Sequence, residues 1–372
     1  MEFIDLSKQQ SLIREKVNQR ISKVLDHGRY IMGPEVYELE ESLAAYLDIK
    51  FCLTCSSGTD ALLIPIMAKE IGPGDAVLTT PFSYIATAEV IKLVGATPIF
   101  VDIDPETYNL NPQLISAGVE EAHQKGLDPK AIIPVDLFGQ PANYIEIEKY
   151  AIKYDLFVIE DAAQGFGGAI NDRKACTFGN VASTSFFPAK PLGCYGDGGA
   201  IFTNNEMLYR DMKSIRIHGE GEDKYDNIRL GLNGRLDTIQ AAVLLEKLVL
   251  ITEEVMKRNR AARYYSLNIP DAFKTPHISE GNLSSWAQYS LLSKSIEVRN
   301  IVLKHLESKK IPSMIYYRIP LHLQAVFNDL GYKKGDFPVS EDISERIFSI
   351  PMHPYLDKIQ QDMIIEALLD FE

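Results

Sequence analysis

The chain is poor in cysteine. Its 372 residues hold four, Cys52, Cys55, Cys176 and Cys194. Four thiols cannot frame a chain of this length with disulfides, so a reducing compartment, the cytoplasm, is expected. Cys52 and Cys55 form a C-x-x-C, but no second pair completes a zinc set. The stretch FCLTCSSG reads instead as a buried strand running into a glycine turn, and no metal site is expected. No run of 18 apolar residues is present, which excludes a membrane-spanning helix on hydropathy. The opening MEFIDLSKQQ lacks the basic start and apolar stretch of a secretory signal. Positive charge is also short: 38 lysines and arginines face 51 acidic residues, a net charge of -13. Such a surface argues against nucleic acids and anionic membranes as partners. It leaves room for a local cationic pocket that takes a phosphorylated ligand.

What the sequence does contain is an alternation of short apolar runs and helical patterns from about 51 to 203. The runs are FCLTC (51–55), DAVLTTP (75–81), TPIFVDID (97–104), AIIPVDLFG (131–139), LFVIEDAA (156–163), ASTSFF (182–187) and GGAIFT (198–203). Several are continuously apolar, as strands covered on both faces are. Strands alternating with helices imply an α/β fold with a mainly parallel sheet. Leu244, Leu248, Ile251 and Val255 recur at helical spacing, which predicts one long helix over about 236–267 linking two lobes. We divide the chain into a large α/β domain over 1–250 and a smaller C-terminal α+β domain over 251–372.

Ligand sites in such sheets lie beyond the carboxyl ends of the strands, and four of these ends carry unusual residues. SSGTDAL opens a helix straight after a strand, and Gly58 and Thr59 there offer N–H groups and a hydroxyl to an anion. A plain helix cap by Ser57 or Thr59 reads the same residues without a ligand. In PFSYIATA, Tyr84 is either a core aromatic or a flat face for a planar ring. In VIEDAAQ, Glu160 and Asp161 follow a buried run, where a carboxylate is costly unless paired or hydrogen-bonded. In TSFFPAKPLGCYGDGGAIF, Lys190 stands in a bend between two strands, with Ser185 before it and Gly193, Gly196, Gly198 and Gly199 after it. Such a lysine is solvated, binds a phosphate as a point charge, or forms a Schiff base. The glycines read as backbone making room for a ring and its phosphate. A phosphate cradle, a stacking aromatic, a carboxylate and a lysine in this order together describe pyridoxal 5′-phosphate, with Asp161 facing its ring nitrogen.

At this point the sequence resembles a known family. It looks like the sugar-nucleotide aminotransferases of the DegT/DnrJ/EryC1/StrS family, fold type I pyridoxal-phosphate enzymes. The likeness runs over essentially the whole chain. It includes HGRYIMGPEVYELEESLAAY, SSGTDAL, GPGDAVLTTPFSYIATAE, VDIDPETYNL, IIPVDLFGQPA, VIEDAAQ, SFFPAKPLGCYGDGGAIFT, NGRLDTIQAAVL and SIPMHPYL. The resemblance implies a large domain with a mostly parallel seven-stranded sheet between helices. It implies Lys190 as the Schiff-base lysine and proton shuttle, and Asp161 as partner of the pyridine nitrogen. It puts Gln164 beside the ring, Tyr84 in the stacking position, and Gly58, Thr59 and Ser185 on the phosphate. Asn233 would reach the phosphate from the other subunit of a homodimer.

Within the family, FFPAKPLGCYGDGGAIFTN and RLGLNGRLDT look closest to the branch that aminates C3 of UDP-2-acetamido-2-deoxy-3-oxo-glucuronate for bacterial surface polysaccharide. That branch implies a UDP-linked keto sugar and L-glutamate as substrates, with Arg235, Tyr316 and Tyr317 on the sugar nucleotide. The chain departs from the family's His-Tyr-Pro, carrying Tyr316, Tyr317 and Arg318 instead. Arg318 either binds a uronate carboxylate or is a solvated surface residue. Rival readings are amination of a non-uronate 3-keto sugar, amination at C4 of another UDP- or dTDP-sugar, and a non-catalytic regulatory protein. His218 reads as a loop residue; His322 and His353 read as hydrogen-bonded structural histidines or, for His353, a substrate contact.

Overall fold

A computed structural model describes residues 1–223 and 225–371. Seven strands form the central sheet: β1 (Phe51–Cys55), β2 (Asp75–Thr79), β3 (Thr97–Phe100), β4 (Asp128–Ile133), β5 (Phe157–Asp161), β6 (Val181–Ser185) and β7 (Gly199–Thr203). Their order is β1-β7-β6-β5-β4-β2-β3. β7 runs antiparallel to both of its neighbours, and all other pairs are parallel. All seven apolar runs of the sequence fall in this sheet, with ladders shorter than several of the runs. The residues beyond them, such as Val135, Asp136 and Ala162, turn into strand-end loops.

Successive side chains on a strand point to opposite faces, and both faces are buried. Leu53, Val77, Ile133, Ile159 and Ile201 join one apolar cluster with Ile64 and Ile66 of helix Gly58–Ala68. Their strand neighbours Cys52, Ala182, Ala200 and Phe202 join another, with Leu39 and Leu43 of helix Pro34–Leu47 and Leu244. Ala76, Leu78, Ile132 and Val158 join a third. This double burial is why the strands read as continuous apolar runs. All four cysteines are free and buried, Cys52 and Cys55 among them.

The single helix expected over 236–267 is two, Thr238–Leu248 and Ile251–Asn268. At the break, the Leu250 N–H donates to the Lys247 carbonyl in a tight four-residue turn. The break lets one apolar stripe serve two cores. Ile251 and Val255 pack with the sheet, while Ala261, Ala262 and Tyr265 pack with Phe273, Trp286, Phe348 and Ile364. That second core lies over the antiparallel pair β8 (Tyr289–Leu292) and β9 (Ile347–Ile350).

Between β8 and β9 the chain returns to the central sheet. The Leu321 N–H donates to the Pro81 carbonyl at 2.7 Å. Asp102, just past β3, accepts from the Val339 and Ser340 N–H groups at 3.0 Å each and caps helix Pro338–Arg346. This return drapes residues 315–317 over the carboxyl ends of the strands. Tyr316 and Tyr317 pack there beside Phe82, Val135 and Phe138.

Candidate active site

The carboxyl ends of β1, β2, β4, β5 and β6 converge on one edge of the sheet. Asp161, the last residue of β5, is 4% exposed. Burial raises its pKa. The Thr87 hydroxyl, donating to Oδ2 at 2.7 Å, the Ala163 N–H, donating to Oδ1 at 3.1 Å, and the charge of Lys190 oppose that rise. Its main chain is fixed on both sides: the Asp161 N–H donates to the Pro134 carbonyl, and the Ala162 N–H to the Ser183 carbonyl.

Lys190 sits in the turn after β6, where its N–H donates to the Phe187 carbonyl at 2.8 Å. The side chain is partly buried. Burial lowers its pKa, and the Asp161 carboxylate pulls it back up. Among the described residues the amine has no hydrogen-bond or ion-pair partner. A lysine amine held out of bulk water without a partner is more readily neutral than a surface one, and a neutral amine is what a base or nucleophile requires.

The next pair of residues makes an anion cradle. Gly58 begins the helix after β1, and a Cβ there would stand 2.6 Å from Ser185 Cβ, so only glycine lets the helix start against β6. Ser57 caps the helix by accepting the Asp60 N–H at 3.0 Å. The Gly58 and Thr59 N–H groups have no acceptor among the described residues. Two free N–H groups at a helix start, with the Ser185 hydroxyl alongside, favour an anion. The glycines after Lys190 serve the protein itself. A Cβ on Gly199 would meet the Ser57 carbonyl at 2.4 Å, and one on Gly193 the Pro188 carbonyl at 2.5 Å. The room made by these two is thus filled by the chain's own backbone, and Gly196 and Gly198 face the side chains of Gln240 and Leu236, contrary to the expectation from sequence.

Gln164 is 3% exposed. Its Oε1 accepts the Phe138 N–H at 2.9 Å, which turns its amide nitrogen to donate to the Tyr317 hydroxyl at 3.2 Å. Tyr317 meets Phe82 edge-on at 6.0 Å, and burial raises its phenol pKa. Tyr316 packs against both Tyr317 and Phe3. Tyr84 is 58% exposed at the mouth of this edge.

Three expected site residues stand apart from this cluster. Asn233 is exposed, and its Oδ1 accepts from Arg235 Nε at 3.0 Å, so the two side chains bind each other. Arg318 is exposed and lines a groove of about 770 Å³ with Lys304, Lys310 and Met314. Thr87 is the residue that the sequence reading missed. Its hydroxyl lies three residues past Tyr84, and a short polar side chain just inside a helix facing a strand end was the available signal. His322 is buried against Glu341 at 3.0 Å. His353 is 1% exposed with neither ring nitrogen hydrogen-bonded among the described residues, and burial lowers its pKa to about 4.

A mostly parallel seven-stranded sheet with a lysine and a carboxylate at its strand ends, beside a helix-start anion cradle, defines a fold type I pyridoxal-phosphate-dependent aminotransferase. Residues 11–369 match the DegT/DnrJ/EryC1/StrS aminotransferase family, and the chain belongs to it. It is 46% identical, over 99% of both chains, to a UDP-2-acetamido-2-deoxy-3-oxo-D-glucuronate aminotransferase of Pseudomonas aeruginosa. It is 39% identical to a protein of Geobacillus stearothermophilus named as a pleiotropic regulatory protein, over 99% of this chain and 98% of that one. A crystal structure of a family member from Brucella abortus superposes with a TM-score of 0.96 at 49% identity, covering 100% of this chain and 99% of the other.

Proposed function

We propose that the chain transfers an amino group from L-glutamate to the 3-keto group of a UDP-linked sugar, UDP-2-acetamido-2-deoxy-3-oxo-glucuronate, for bacterial surface polysaccharide. The observation that carries the reading is the unpartnered, partly buried amine of Lys190 within the field of Asp161, on the same sheet edge as the Gly58–Ser185 cradle. These residues fit pyridoxal 5′-phosphate. Gly58, Thr59 and Ser185 would hold its phosphate, Asp161 its ring nitrogen, and Tyr84 and Gln164 its ring. When bound, the cofactor supplies an electron sink for the bonds made and broken at the amino carbon.

The chain's own residues do the rest. In each half-reaction Lys190 takes up one proton and hands it on, from the donor's Cα in the first and to the sugar carbon in the second, so its amine has to be neutral at the start of each. An ionised Asp161, favoured by Thr87, the Ala163 N–H and Lys190 against the effect of burial, would hold the ring nitrogen in its protonated form. Thr87 and the Ala163 N–H hold that carboxylate still. Tyr317, with its hydroxyl bound to Gln164, and Tyr316 wall the side from which the sugar enters.

The rest of the reading concerns assembly. Asn233 and Arg235 would serve the neighbouring subunit of a homodimer, which would also cover the exposed Tyr30, Tyr37, Tyr84 and Phe187. Their exposures of 45–58% support this, because large aromatic side chains left in water suit a partner surface. We place the division between a cofactor-binding domain and a smaller domain at 250/251, between the two helices, and the enzyme in the cytoplasm. Among the described residues, no helix is long and apolar enough to cross a membrane.

The test is a panel of UDP- and dTDP-linked 3-keto and 4-keto sugars with L-glutamate, following 2-oxoglutarate. Turnover confined to the UDP-3-keto-uronate supports the proposal. Preference for a 4-keto or non-uronate sugar overturns the substrate and keeps the chemistry. A regulatory reading has only the names of relatives behind it. Glutamate-dependent change in the bound cofactor's absorption excludes it, and no change supports it.

A further inference from the structure

Two more carboxyl groups lie behind Asp161, and the chemistry above does not use them. Asp136 follows β4 and Glu160 precedes Asp161 on β5; both are fully buried, at 0% exposure. Asp136 Oδ1 accepts the Ala142 N–H at 3.0 Å and the Tyr144 hydroxyl at 2.9 Å. Its Oδ2 is buried with no partner that a carboxylate and its surroundings supply. Gly165 packs so closely that a Cβ would stand 2.3 Å from this oxygen. Glu160 accepts the Cys176 N–H on Oε1 and the Phe178 N–H on Oε2, both at 2.7 Å. The two carboxyls are within hydrogen-bonding reach of each other. Two carboxylate oxygens cannot bond without a proton between them, and a buried acceptor left unpaired is costly.

We propose that Asp136 and Glu160 share one proton, donated across Asp136 Oδ2, and that this pair is a positioning device for Asp161. One negative charge is then spread over two carboxyls. The groups facing it are Tyr144, Cys176 and Asp161, with Lys190 beyond Asp161. Burial, with a smaller push from the Asp161 charge, raises Asp136 to about 7 against the hydrogen bonds from Ala142, Glu160 and Tyr144, while burial and the Asp136 carboxyl hold Glu160 well above the ordinary range. The pair is coupled to the site by main chain as well as by charge. The Asp136 N–H donates to the Asp161 carbonyl at 3.0 Å. Its negative charge favours the protonated state of any base that Asp161 holds.

The inference about proton sharing stands on the chain alone; its effect at the site rests on the function proposed above. Infrared spectroscopy of the cofactor-free protein at pH 8 tests the first part. The wild type should show the carbonyl stretch of a buried protonated carboxylic acid. Asp136→Asn and Glu160→Gln should each lose it, because the remaining carboxyl ionises against an amide donor. Absence of the band in the wild type, or its survival in both variants, overturns the shared proton whatever the enzyme's substrate. The second part is read by titrating the absorption spectrum of bound pyridoxal phosphate. Each single variant keeps one negative charge and should leave the transition in place. The double variant removes the charge and should move it about one unit to lower pH. An unmoved transition in a folded double variant reduces the pair to a structural contact.

Discussion

The site has two halves, and one chain supplies them unequally. On the cofactor side, Lys190, Asp161, Gly58, Thr59, Ser185 and Gln164 meet on one sheet edge, braced by main-chain hydrogen bonds from neighbouring strands. On the sugar side, Arg235 is bound to Asn233, and Arg318 stands in an outer groove with two lysines. Tyr317 of that side touches the first half through Gln164, and Tyr316 packs on Tyr317. The difference teaches where each kind of function is encoded. Chemistry shared by many substrates is built on strand ends, which a rigid sheet positions. On the function proposed above, substrate choice falls to loops and surfaces that a second subunit would complete.

The sharpest break of that comparison is removal of the amine. Lys190→Ala should retain cofactor without a covalent bond and lose turnover by about 10³-fold or more. Absorption spectra and steady-state rates read the two effects separately; robust turnover sinks the assignment. Asp161→Asn comes next. The amide keeps an acceptor for the Thr87 hydroxyl but carries no charge, so the ring nitrogen loses its counter-ion. A fall in kcat of about 10²-fold is expected with little loss of fold stability. Gly58→Ala acts on the cradle. A Cβ forced against Ser185 should weaken cofactor affinity by about tenfold, measured by fluorescence titration, and leave kcat at saturating cofactor within a few-fold.

The same division governs what was readable in the sequence. The strands were legible because double burial writes continuous apolar runs. Lys190, Asp161 and Gly58 stood out because each breaks the pattern just past such a run. Thr87 did not, because its meaning is a hydrogen bond to a residue 74 positions away. The break at Val249–Leu250 was hidden because the apolar stripe continues through it while changing cores. The reason for Gly193 and Gly199 was misread: a glycine says that something approaches closely, without saying whether it is ligand or backbone.

Tyr317 joins the halves, and Tyr317→Phe sharpens the boundary between them. The variant deletes the hydroxyl that Gln164 binds and keeps the ring against Phe82. A net hydrogen bond contributes about 1 kcal/mol, so a loss of about fivefold is expected. If Tyr317 belongs to the sugar side, the loss falls on KM for the sugar nucleotide. If it acts through Gln164 on the ring, the loss falls on kcat in both half-reactions, which single-turnover measurements with glutamate alone detect.

Arg318→Ala should have the smallest effect and is the finest probe of the difference between the halves. Its guanidinium is exposed and has no acidic partner among the described residues. Its recorded electrostatic neighbour is Arg299, whose pKa it helps to lower along with burial. A cation repelled by another cation gains from any anion brought between them, and a uronate carboxylate is such an anion. At an exposed site that gain is about 1 kcal/mol or less. Arg318→Ala should therefore raise KM for a uronate substrate by less than about fivefold, more so at low salt, and leave a non-uronate substrate untouched. An equal effect on both substrates assigns the arginine to the outer groove and leaves recognition of the sugar to Arg235 and the second subunit proposed above.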